Sequence, residues 1–270
     1  MQPFLKWPGG KRWLVSRYKN IFPKEYNTYY EPFLGGGSAF FYLEPKLATI
    51  ADINVDLINT YRVMAKKTMQ LREMLEIHQE RHCDNYYYNM RNEAPTDIVA
   101  RAARFIYLNR TCFNGMYRVN SNGKFNVPKG TRDYFLEDID LFEDYSRLLQ
   151  NIKIRAQDFV VTLRTAAEGD LIFADPPYAI ASQQDTFIKY NGRLFSWKDQ
   201  IRLLNALVRA RDRGAIIIST NALYPQLKKL YEEQGFITHT LERFSSISGI
   251  SEGRGKREEM LITSYPIKIE

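Results

Sequence analysis

Long apolar runs are missing from this sequence of 270 residues, although 44% of its residues are hydrophobic. No segment approaches the roughly 20 consecutive apolar residues that a helix needs to cross a bilayer. The first residues, Met1 to Trp7, also lack the apolar stretch of a signal peptide. We therefore expect a globular protein that stays inside the cell and does not enter a membrane.

Cysteine is scarce as well. Cys83 and Cys112 are the only two cysteines and form no Cys-x-x-Cys pair, so neither a disulfide framework nor a thiolate zinc site is expected. His78 and His82 have a helical spacing that can bind zinc. No further ligand set is apparent, so we interpret them as part of a solvated helix face and expect no metal.

Acidic residues are absent from two stretches of a chain whose formal net charge is +7. Residues 1–24 contain six basic residues and residues 101–132 contain seven. Because aromatic residues and asparagines are interleaved with these charges, a nucleic-acid partner is favoured over two solvated basic faces. The segment from Ser245 to Gly255 predicts a loop, with contact to a nucleic-acid backbone as an alternative role.

Strand and helix patterns alternate along most of the chain. Asn27 to Phe33 predicts a strand that leads into a glycine turn and a helix, and a second strand ends at Asp52. Five more strands are predicted at 152–154, 170–174, 215–219, 236–241 and 259–264, with helices at 197–211 and 224–234. Such alternation predicts a doubly wound α/β sheet.

The stretch between residues 56 and 140 breaks this alternation, because it is helical and then rich in loops. We interpret it as a domain inserted between two parts of one sheet domain, residues 1–55 and residues 141–270. Met116 to Val127 predicts a β-hairpin within the insertion, since Asn122-Gly123 readily adopts the positive φ angles of a tight turn.

The tetrapeptide Asp175-Pro176-Pro177-Tyr178 directly follows a predicted strand, at the end where open α/β sheets bind ligands. A carboxylate and a carbonyl there can accept hydrogen bonds from adenine's exocyclic amino group, whose lone pair is otherwise delocalised into the ring. Two prolines restrict the backbone, and Tyr178 can stack on a base flipped out of a duplex. A Pro-Pro turn with an acidic cap is the purely structural alternative.

The segment from Glu31 to Ser38 is a glycine-rich turn whose backbone can approach a cofactor closely. It lacks the last glycine of the dinucleotide fingerprint, which disfavours NAD and leaves S-adenosyl-L-methionine (SAM). Asp52, at the end of the next strand, is placed to accept hydrogen bonds from ribose hydroxyls. Trp7 and Lys11 flank a flexible Gly-Gly pair, suited to packing on the cofactor and meeting its carboxylate.

These three motifs, in this order, resemble the Dam-type family (D12 class, alpha arrangement) of DNA adenine-N6 methyltransferases, and the resemblance extends across nearly the whole chain. It implies a Rossmann-like, SAM-dependent methyltransferase sheet with an inserted, mainly helical target-recognition domain at residues 56–140. It also implies that the tetrapeptide holds a flipped adenine. The candidate cofactor residues are Trp7, Lys11, Glu31, Phe33, Gly35, Gly37, Asp52 and Asp175.

Residues 108–118 look like the family segment that meets the duplex, with the hairpin in the major groove. Arg118 matches an arginine that reads guanine in relatives recognising GATC, and arginine suits bidentate bonding to guanine O6 and N7. Phe113 and Met116 depart from a tyrosine and a leucine of the family pattern but keep an apolar wedge. The candidate DNA contacts are Arg110, Phe113, Asn114, Met116, Arg118, Asn120, Lys124, Pro128 and Arg132.

The sequence thus predicts an enzyme that methylates adenine N6 in double-stranded DNA, within GATC, and releases S-adenosylhomocysteine. Neither cysteine follows a proline, which disfavours cytosine-C5 chemistry. The alternatives are methylation of RNA adenine or cytosine N4, and a DNA-binding protein without catalysis. We expect a monomer in the cytoplasm, at the bacterial nucleoid or in a phage-infected cell, and partnership with a restriction endonuclease stays open.

Overall fold

The computed structural model describes residues 1–120, 123–178, 195–245 and 255–269, without the side chains of 243–245 and 255–257. Asn122 of the predicted hairpin turn and residues 246–254 of the predicted loop lie outside the described residues. In the part of the chain that is described, no helix combines the length and apolarity needed to span a membrane.

A mixed sheet of seven strands, in the order β3-β2-β1-β4-β5-β7-β6, carries the fold. β1, β2, β4 and β5 pair in parallel, whereas β7 runs antiparallel to both β5 and β6. This arrangement confirms the predicted Rossmann-like α/β sheet. The strands are β1 Tyr29–Glu31, β2 Ala48–Asp52, β3 Lys153–Ala156, β4 Leu171–Ala174, β5 Ile216–Ala222, β6 Ile237–Ser245 and β7 Gly255–Thr263.

Ten α-helices lie in the described residues, with three short 3-10 helices at Lys19–Ile21, Phe113–Gly115 and Ile139–Leu141. The predicted helical stretch from 55 to 80 is two helices, which meet at Lys67. The α-helices are α1 Arg12–Arg17, α2 Ser38–Leu43, α3 Val55–Lys66, α4 Thr68–Glu80, α5 Asp84–Asn92, α6 Ile98–Thr111, α7 Phe142–Leu149, α8 Phe159–Leu163, α9 Trp197–Asp212 and α10 Pro225–Glu233.

One compact unit comprises Trp13–Phe33, Leu47–Ala51 and Gln157–Glu270. All four residues of β4 are buried, as expected for a parallel strand covered on both faces. A capping box formed by Ser196 and Asp199 satisfies backbone donors at the start of α9. The apolar side chains of β4 and β5 pack with those of α9 in a single core.

The other compact unit comprises Met1–Arg12, Leu34–Lys46 and Asp52–Ala156. Its helices begin at side-chain caps, with Asn54 accepting from the first turn of α3 and Asp97 from that of α6. The last seven residues of α6, Phe105 to Thr111, are all buried. The division of the chain into a catalytic domain and a recognition domain by function stays a prediction.

The interpretation of His78 and His82 as a solvated helix face is wrong for His78, which is buried against α5. His78 Nδ1 lies 2.7 Å from the Tyr86 hydroxyl, and burial lowers the pKa of the imidazole to about 4. Tyr87 is fully buried and donates to the carbonyl of Val127. Tyr86 and Tyr87 therefore serve packing in this unit, whereas Tyr88 is exposed.

Candidate functional site

Acidic side chains stand at the carboxyl ends of three parallel strands. Glu31 ends β1, Asp52 ends β2 and Asp175 follows β4, and β1 pairs in parallel with both β2 and β4. Parallel strands that pair side by side end at the same edge of their sheet. These ends therefore belong to the edge at which open α/β sheets bind ligands.

The carboxylate of Asp175 is held by the neighbouring strand. Ala174 pairs with Ser219 of β5, so the next residue of β5 in register, Thr220, stands beside Asp175. Thr220 Oγ1 donates to Asp175 Oδ1 at 2.6 Å, and Ser219 Oγ donates to the carbonyl of Ala174 at 2.8 Å. Thr220 is buried and Asp175 is half-buried. The bond from Thr220 therefore fixes one oxygen of the Asp175 carboxylate from the buried side.

Tyr178 is tied to a residue that the sequence reasoning did not identify. Its hydroxyl donates to Glu259 Oε2 at 2.7 Å, and Glu259, on β7, is only 3% exposed. An acidic residue directly before the apolar run Met260 to Ile262 is unusual for a buried strand. That position is the sequence feature by which Glu259 could have been identified. Of the two prolines, Pro176 is buried and Pro177 is exposed.

The glycine turn is closed by contacts that require glycine. Gly35 has a φ of 48° and Gly37 a φ of 68°, in the left-handed region that L side chains rarely adopt. A Cβ on Gly35 would lie 2.6 Å from Cδ1 of Trp7, so the indole packs directly on the turn. The Tyr61 hydroxyl donates to the carbonyl of Gly35 at 3.2 Å.

Asp52 belongs to the same turn. Its Oδ2 accepts from the Gly35 amide at 3.0 Å and its Oδ1 from the Asn54 amide at 2.9 Å. Burial raises the pKa of the Asp52 carboxyl, and the hydrogen bonds from backbone amides oppose that rise. Ile53, the next residue, is 75% exposed, which the sequence analysis overlooked. A carboxylate beside an exposed apolar side chain suits a ribose attached to a flat base.

Lys11 is only 3% exposed, and its ammonium donates to the carbonyl of Gly9 at 2.9 Å. A positive φ of 80° at Gly9 lets the loop fold back over this side chain. Lys11 and Trp7 are therefore both ordered parts of one N-terminal loop.

Glu31 and Phe33 take different places. Glu31 is 2% exposed and accepts from the Tyr29 hydroxyl at 2.7 Å, while burial chiefly raises the pKa of that phenol. The ring of Phe33 packs against Phe159, with 5.2 Å between centroids. Asp158, which directly precedes Phe159, is a further acid just after the end of β3, and no motif had indicated it.

The segment predicted to meet DNA, Thr111 to Arg132 without its undescribed positions 121 and 122, is called the recognition segment below. Its backbone is held at both ends. The Phe113 amide donates to the carbonyl of Pro128 at 2.9 Å, and the Gly130 amide to that of Thr111 at 2.8 Å. Most candidate DNA contacts are on its surface. Exposed are Phe113, Asn114, Arg118, Lys124 and Pro128, and half-buried are Met116, Asn120 and Arg132.

Within this segment the predicted hairpin takes shape around a bridge between Val119 and Phe125. The Asn126 amide donates to the carbonyl of Arg118 at 3.2 Å, and Arg118 Nε donates to Asn126 Oδ1 at 3.0 Å. The second bond uses one of the five donors of the guanidinium and orients its plane. Gly123 has the positive φ, 73°, that the turn prediction required.

Arg110 does not fit its predicted role as a DNA contact. It is 5% exposed, and its five donors all bond to the protein: Nε and Nη2 to the carbonyl of Phe4, Nη1 to that of Phe135, and both Nη groups to Asp138. An arginine so satisfied has no donor left for a phosphate or a base. It stabilises the fold, and we leave it out of the DNA-contact set.

The residue before Arg110 makes a second link to the N-terminal loop. Asn109, fully buried, accepts from the Lys6 amide at 2.9 Å and donates to the Lys6 carbonyl at 2.7 Å. The alkyl chain of Lys6 packs on Gly115, where a Cβ would lie 2.4 Å from Lys6 Cδ. Burial and then the positive charge of Arg132 lower the pKa of Lys6. Lys6 thus packs on the recognition segment, although no motif had indicated this residue.

The described residues contain no group of three or more His, Cys, Asp or Glu side chains that could hold a metal ion. In the same part of the chain, Cys83 is exposed and Cys112 is buried, and both are free thiols. Burial raises the pKa of the Cys112 thiol to about 11. A thiol with so high a pKa is a poor nucleophile.

Known proteins are similar to this chain over most of its length. The family model of the D12 class N6 adenine-specific DNA methyltransferases matches residues 7–247. The Type II methyltransferase M1.LlaDCHI of Lactococcus lactis subsp. cremoris is 38% identical over 98% of this chain and 96% of its own. The Type II methyltransferase M.MjaIII of Methanocaldococcus jannaschii is 34% identical, with coverages of 98% and 99%. A DNA adenine methylase of Haemophilus influenzae is 32% identical, with coverages of 96% and 92%.

The matched range includes the glycine turn, Asp52 and the Asp-Pro-Pro-Tyr tetrapeptide. Similarity of this extent confirms the family resemblance read from the motifs. The chain belongs to the D12 class of N6 adenine-specific DNA methyltransferases.

Proposed function

We propose that this adenine-specific DNA methyltransferase transfers the methyl group of SAM to N6 of an adenine flipped out of double-stranded DNA, within GATC. The observation that carries the proposal is the Asp175 carboxylate, fixed by Thr220 at 2.6 Å beside the carboxyl end of β4. Two further residues of the tetrapeptide, Pro176 and Tyr178, supply a carbonyl and an aromatic ring at the same place.

Adenine N6 is a poor nucleophile because its lone pair is delocalised into the ring. Asp175 Oδ2 and the Pro176 carbonyl are suited to accept the two amino hydrogens, which favours a tetrahedral nitrogen with a localised lone pair. SAM, when bound, supplies a methyl group on a positively charged sulfur and leaves as S-adenosylhomocysteine. In that transfer N6 would form the new bond to the methyl carbon, the electrons of the broken carbon–sulfur bond would stay on sulfur, and Asp175 would pass the released proton to solvent.

Tyr178 is proposed to stack on the flipped base, which replaces part of the stacking lost from the duplex. Its hydroxyl bond to Glu259 at 2.7 Å restricts the direction of the ring. Pro177 is exposed beside it and gives the base a rigid edge.

The residues of the glycine turn fit SAM by their chemistry. Asp52 offers carboxylate oxygens to ribose hydroxyls, and Ile53 offers an exposed apolar surface to the adenine ring. Gly35 and Gly37 let the backbone approach the methionine portion. Trp7 and Lys11 complete the site, the first by packing and the second by its charge. Glu31 and Phe33 are assigned to the same site with Asp175.

The recognition segment is proposed to read the duplex as part of a target-recognition domain at residues 56–140, with the catalytic domain at 1–55 and 141–270. Arg118 is exposed and oriented by Asn126, which suits a bidentate contact with guanine. Phe113, 51% exposed, and the half-buried Met116 are proposed to act as an apolar wedge. The remaining candidate residues are proposed to contact the DNA backbone and neighbouring bases; they are Asn114, Asn120, Lys124, Pro128 and Arg132.

Two relatives are named Type II methyltransferases, which extends the proposal to a partnership with a restriction endonuclease. Double-stranded DNA is favoured over RNA because the A-form major groove is too narrow for a hairpin. The protein is proposed to act as a monomer.

The test is transfer of labelled methyl from SAM to unmethylated duplex DNA, followed by nucleoside digestion and mass analysis. We expect label in N6-methyladenine, and DNA from expressing cells should resist an endonuclease that methylation of GATC blocks. Label in N4-methylcytosine or in RNA, or binding without transfer, would overturn the proposed reaction. Methylated adenine at another sequence would overturn only the proposed specificity for GATC.

A further inference from the structure

The indole of Trp7 has two neighbours that the proposed function treats separately. One is the glycine turn, on which it packs so closely that a Cβ on Gly35 would lie 2.6 Å from Cδ1 of the indole and 2.8 Å from its Nε1. The other is Tyr117 of the recognition segment, whose ring stacks on the indole with 5.2 Å between centroids and an interplanar angle of 18°. Trp7 therefore touches the turn proposed to hold SAM and the segment proposed to read DNA.

Tyr117 is held in place from its own side as well. Its ring lies 4.9 Å from that of Phe105 on α6 and 5.7 Å from that of Phe125 across the hairpin. Phe125 is buried and forms the bridge with Val119. Because Tyr117 directly precedes Arg118, a shift of the hairpin on DNA binding would move this ring with the arginine.

The chain of contacts continues to the cofactor turn. The Gly35 amide donates to Asp52 at 3.0 Å and the Gly35 carbonyl accepts from Tyr61 at 3.2 Å. The turn is therefore tightly constrained, and a displaced indole would change its fit to a ligand. Aromatic stacking adds free energy beyond burial of area, so the Tyr117 contact can bias the position of Trp7.

We infer that Tyr117 is a positioning residue that couples recognition of the DNA site to cofactor binding, through its stack on Trp7. This inference rests on the proposed function. By linkage, any increase in cofactor affinity caused by the correct DNA site equals the increase in DNA affinity caused by cofactor. Removing the ring of Tyr117 should reduce that coupling while leaving Asp175, Asp52 and Arg118 in place.

The experiment measures the dissociation constant of sinefungin, a SAM analogue that cannot transfer methyl, by calorimetry with the full-length protein. Three conditions are compared: no DNA, a duplex with the sequence that wild type methylates in cells, and the same duplex with one base pair of the site changed. We expect wild type to bind sinefungin more tightly only with the correct site. Tyr117→Leu should lower this gain by about two- to tenfold, whereas Tyr117→Phe should keep it.

Equal gains for Tyr117→Leu and Tyr117→Phe would overturn the inference, and so would a wild type whose sinefungin affinity is the same in all three conditions. Cooperative thermal unfolding shows that each variant is folded, and Tyr117→Met replaces Tyr117→Leu if the latter is not. N6-methyladenine formation by the same wild-type preparation is measured in parallel. Its absence would contradict the proposed function, and its presence without coupling would contradict only the role of Tyr117.

Discussion

The carboxyl ends of β4 and β5 and the recognition segment hold the side chains proposed to be functional in opposite ways. At the strand ends the side chains themselves are fixed, as Thr220 fixes Asp175 and Glu259 fixes Tyr178. In the recognition segment the backbone is fixed by bonds such as Phe113 to Pro128, while most functional side chains are exposed. Methyl transfer needs hydrogen-bond acceptors at fixed positions, whereas recognition of a duplex needs side chains that extend outward from an anchored backbone.

Two arginines eight residues apart show the same contrast. Arg110 at the end of α6 is 5% exposed and uses every donor on the protein. Arg118 is exposed and its orienting bond to Asn126 uses one donor. The variants below break or sharpen this comparison, from the largest expected effect to the smallest.

Arg110→Met should lower the free energy of unfolding by about 3–5 kcal/mol, because it leaves Asp138 and two backbone carbonyls without their partner. Arg118→Met is the matched control and should change that free energy by less than about 0.5 kcal/mol. Urea denaturation followed by circular dichroism measures both. Equal effects of the two substitutions would contradict the assignment of Arg110 to the fold.

Asp175→Asn should lower the single-turnover rate of methyl transfer by about 10²–10³-fold, because an amide NH2 in place of Oδ2 donates hydrogen bonds and cannot accept one from the amino group. Affinity for duplex DNA should stay within about twofold. Asp170→Asn is the control at the other end of β4, where the carboxylate accepts from the Thr28 and Ala167 amides. It should cost stability and leave the rate of the folded enzyme unchanged. A similar loss of rate in both variants would show that Asp175 has no special part in the reaction.

Acid should destabilise the unit that carries the recognition segment through His78. Its pKa is lowered to about 4 by burial, so the native state holds the neutral imidazole while the unfolded chain takes up a proton below its ordinary value of about 6.5. The stabilising effect is full above pH 6.5 and is lost as pH falls toward 4, by up to about 3 kcal/mol.

Urea titrations between pH 7 and 4 measure this slope. His78→Phe should flatten it, and His239→Gln, a substitution on β6, should leave most of it in place. An unchanged slope in His78→Phe would assign the acid sensitivity to other groups. Hydrogen exchange at pH 5 should show faster opening in α4 to α6 than in β4 and β5.

Arg118→Ala should relax discrimination at one guanine by about 1–3 kcal/mol, and Asn126→Ala should produce a smaller loss at the same base pair, because it frees the guanidinium without removing it. Ratios of kcat/KM for the methylated duplex and its single-base variants measure this. Lys124→Ala is the control, since loss of a phosphate contact lowers affinity for all sequences alike. Uniform weakening by Arg118→Ala would assign it to the phosphate backbone.

Local sequence was sufficient for much of the architecture. Strands such as β4 are short apolar runs bounded by turn residues. The predicted second strand ends at Asp52, as β2 does, and the predicted strand at 170–174 lies within one residue of β4. The glycine turn could be recognised because left-handed φ angles need glycine, as Gly35 and Gly37 confirm. Such features depend on backbone sterics and hydrophobic periodicity, which neighbouring residues decide.

The role of individual polar side chains was not available from local pattern. Glu259 lies 81 residues from Tyr178 along the chain, and Arg110 bonds to Phe4, 106 residues away. His78 has the local sequence of a surface residue, but the packing of α5 against it buries its side chain. In each case the partner comes from another element, so burial and hydrogen bonding arise only when the chain is packed.

The sequence by itself determined the sheet, the glycine turn, the Asp-Pro-Pro-Tyr tetrapeptide and the family, because the motifs that indicate them are short runs of neighbouring residues. Only the tertiary structure decided which arginine supports α6 and which faces outward, which acid orients Tyr178, and that Trp7 lies between the glycine turn and Tyr117. The physical reason is that a polar or aromatic side chain takes its role from what surrounds it. Those surroundings are assembled from segments that are distant in sequence.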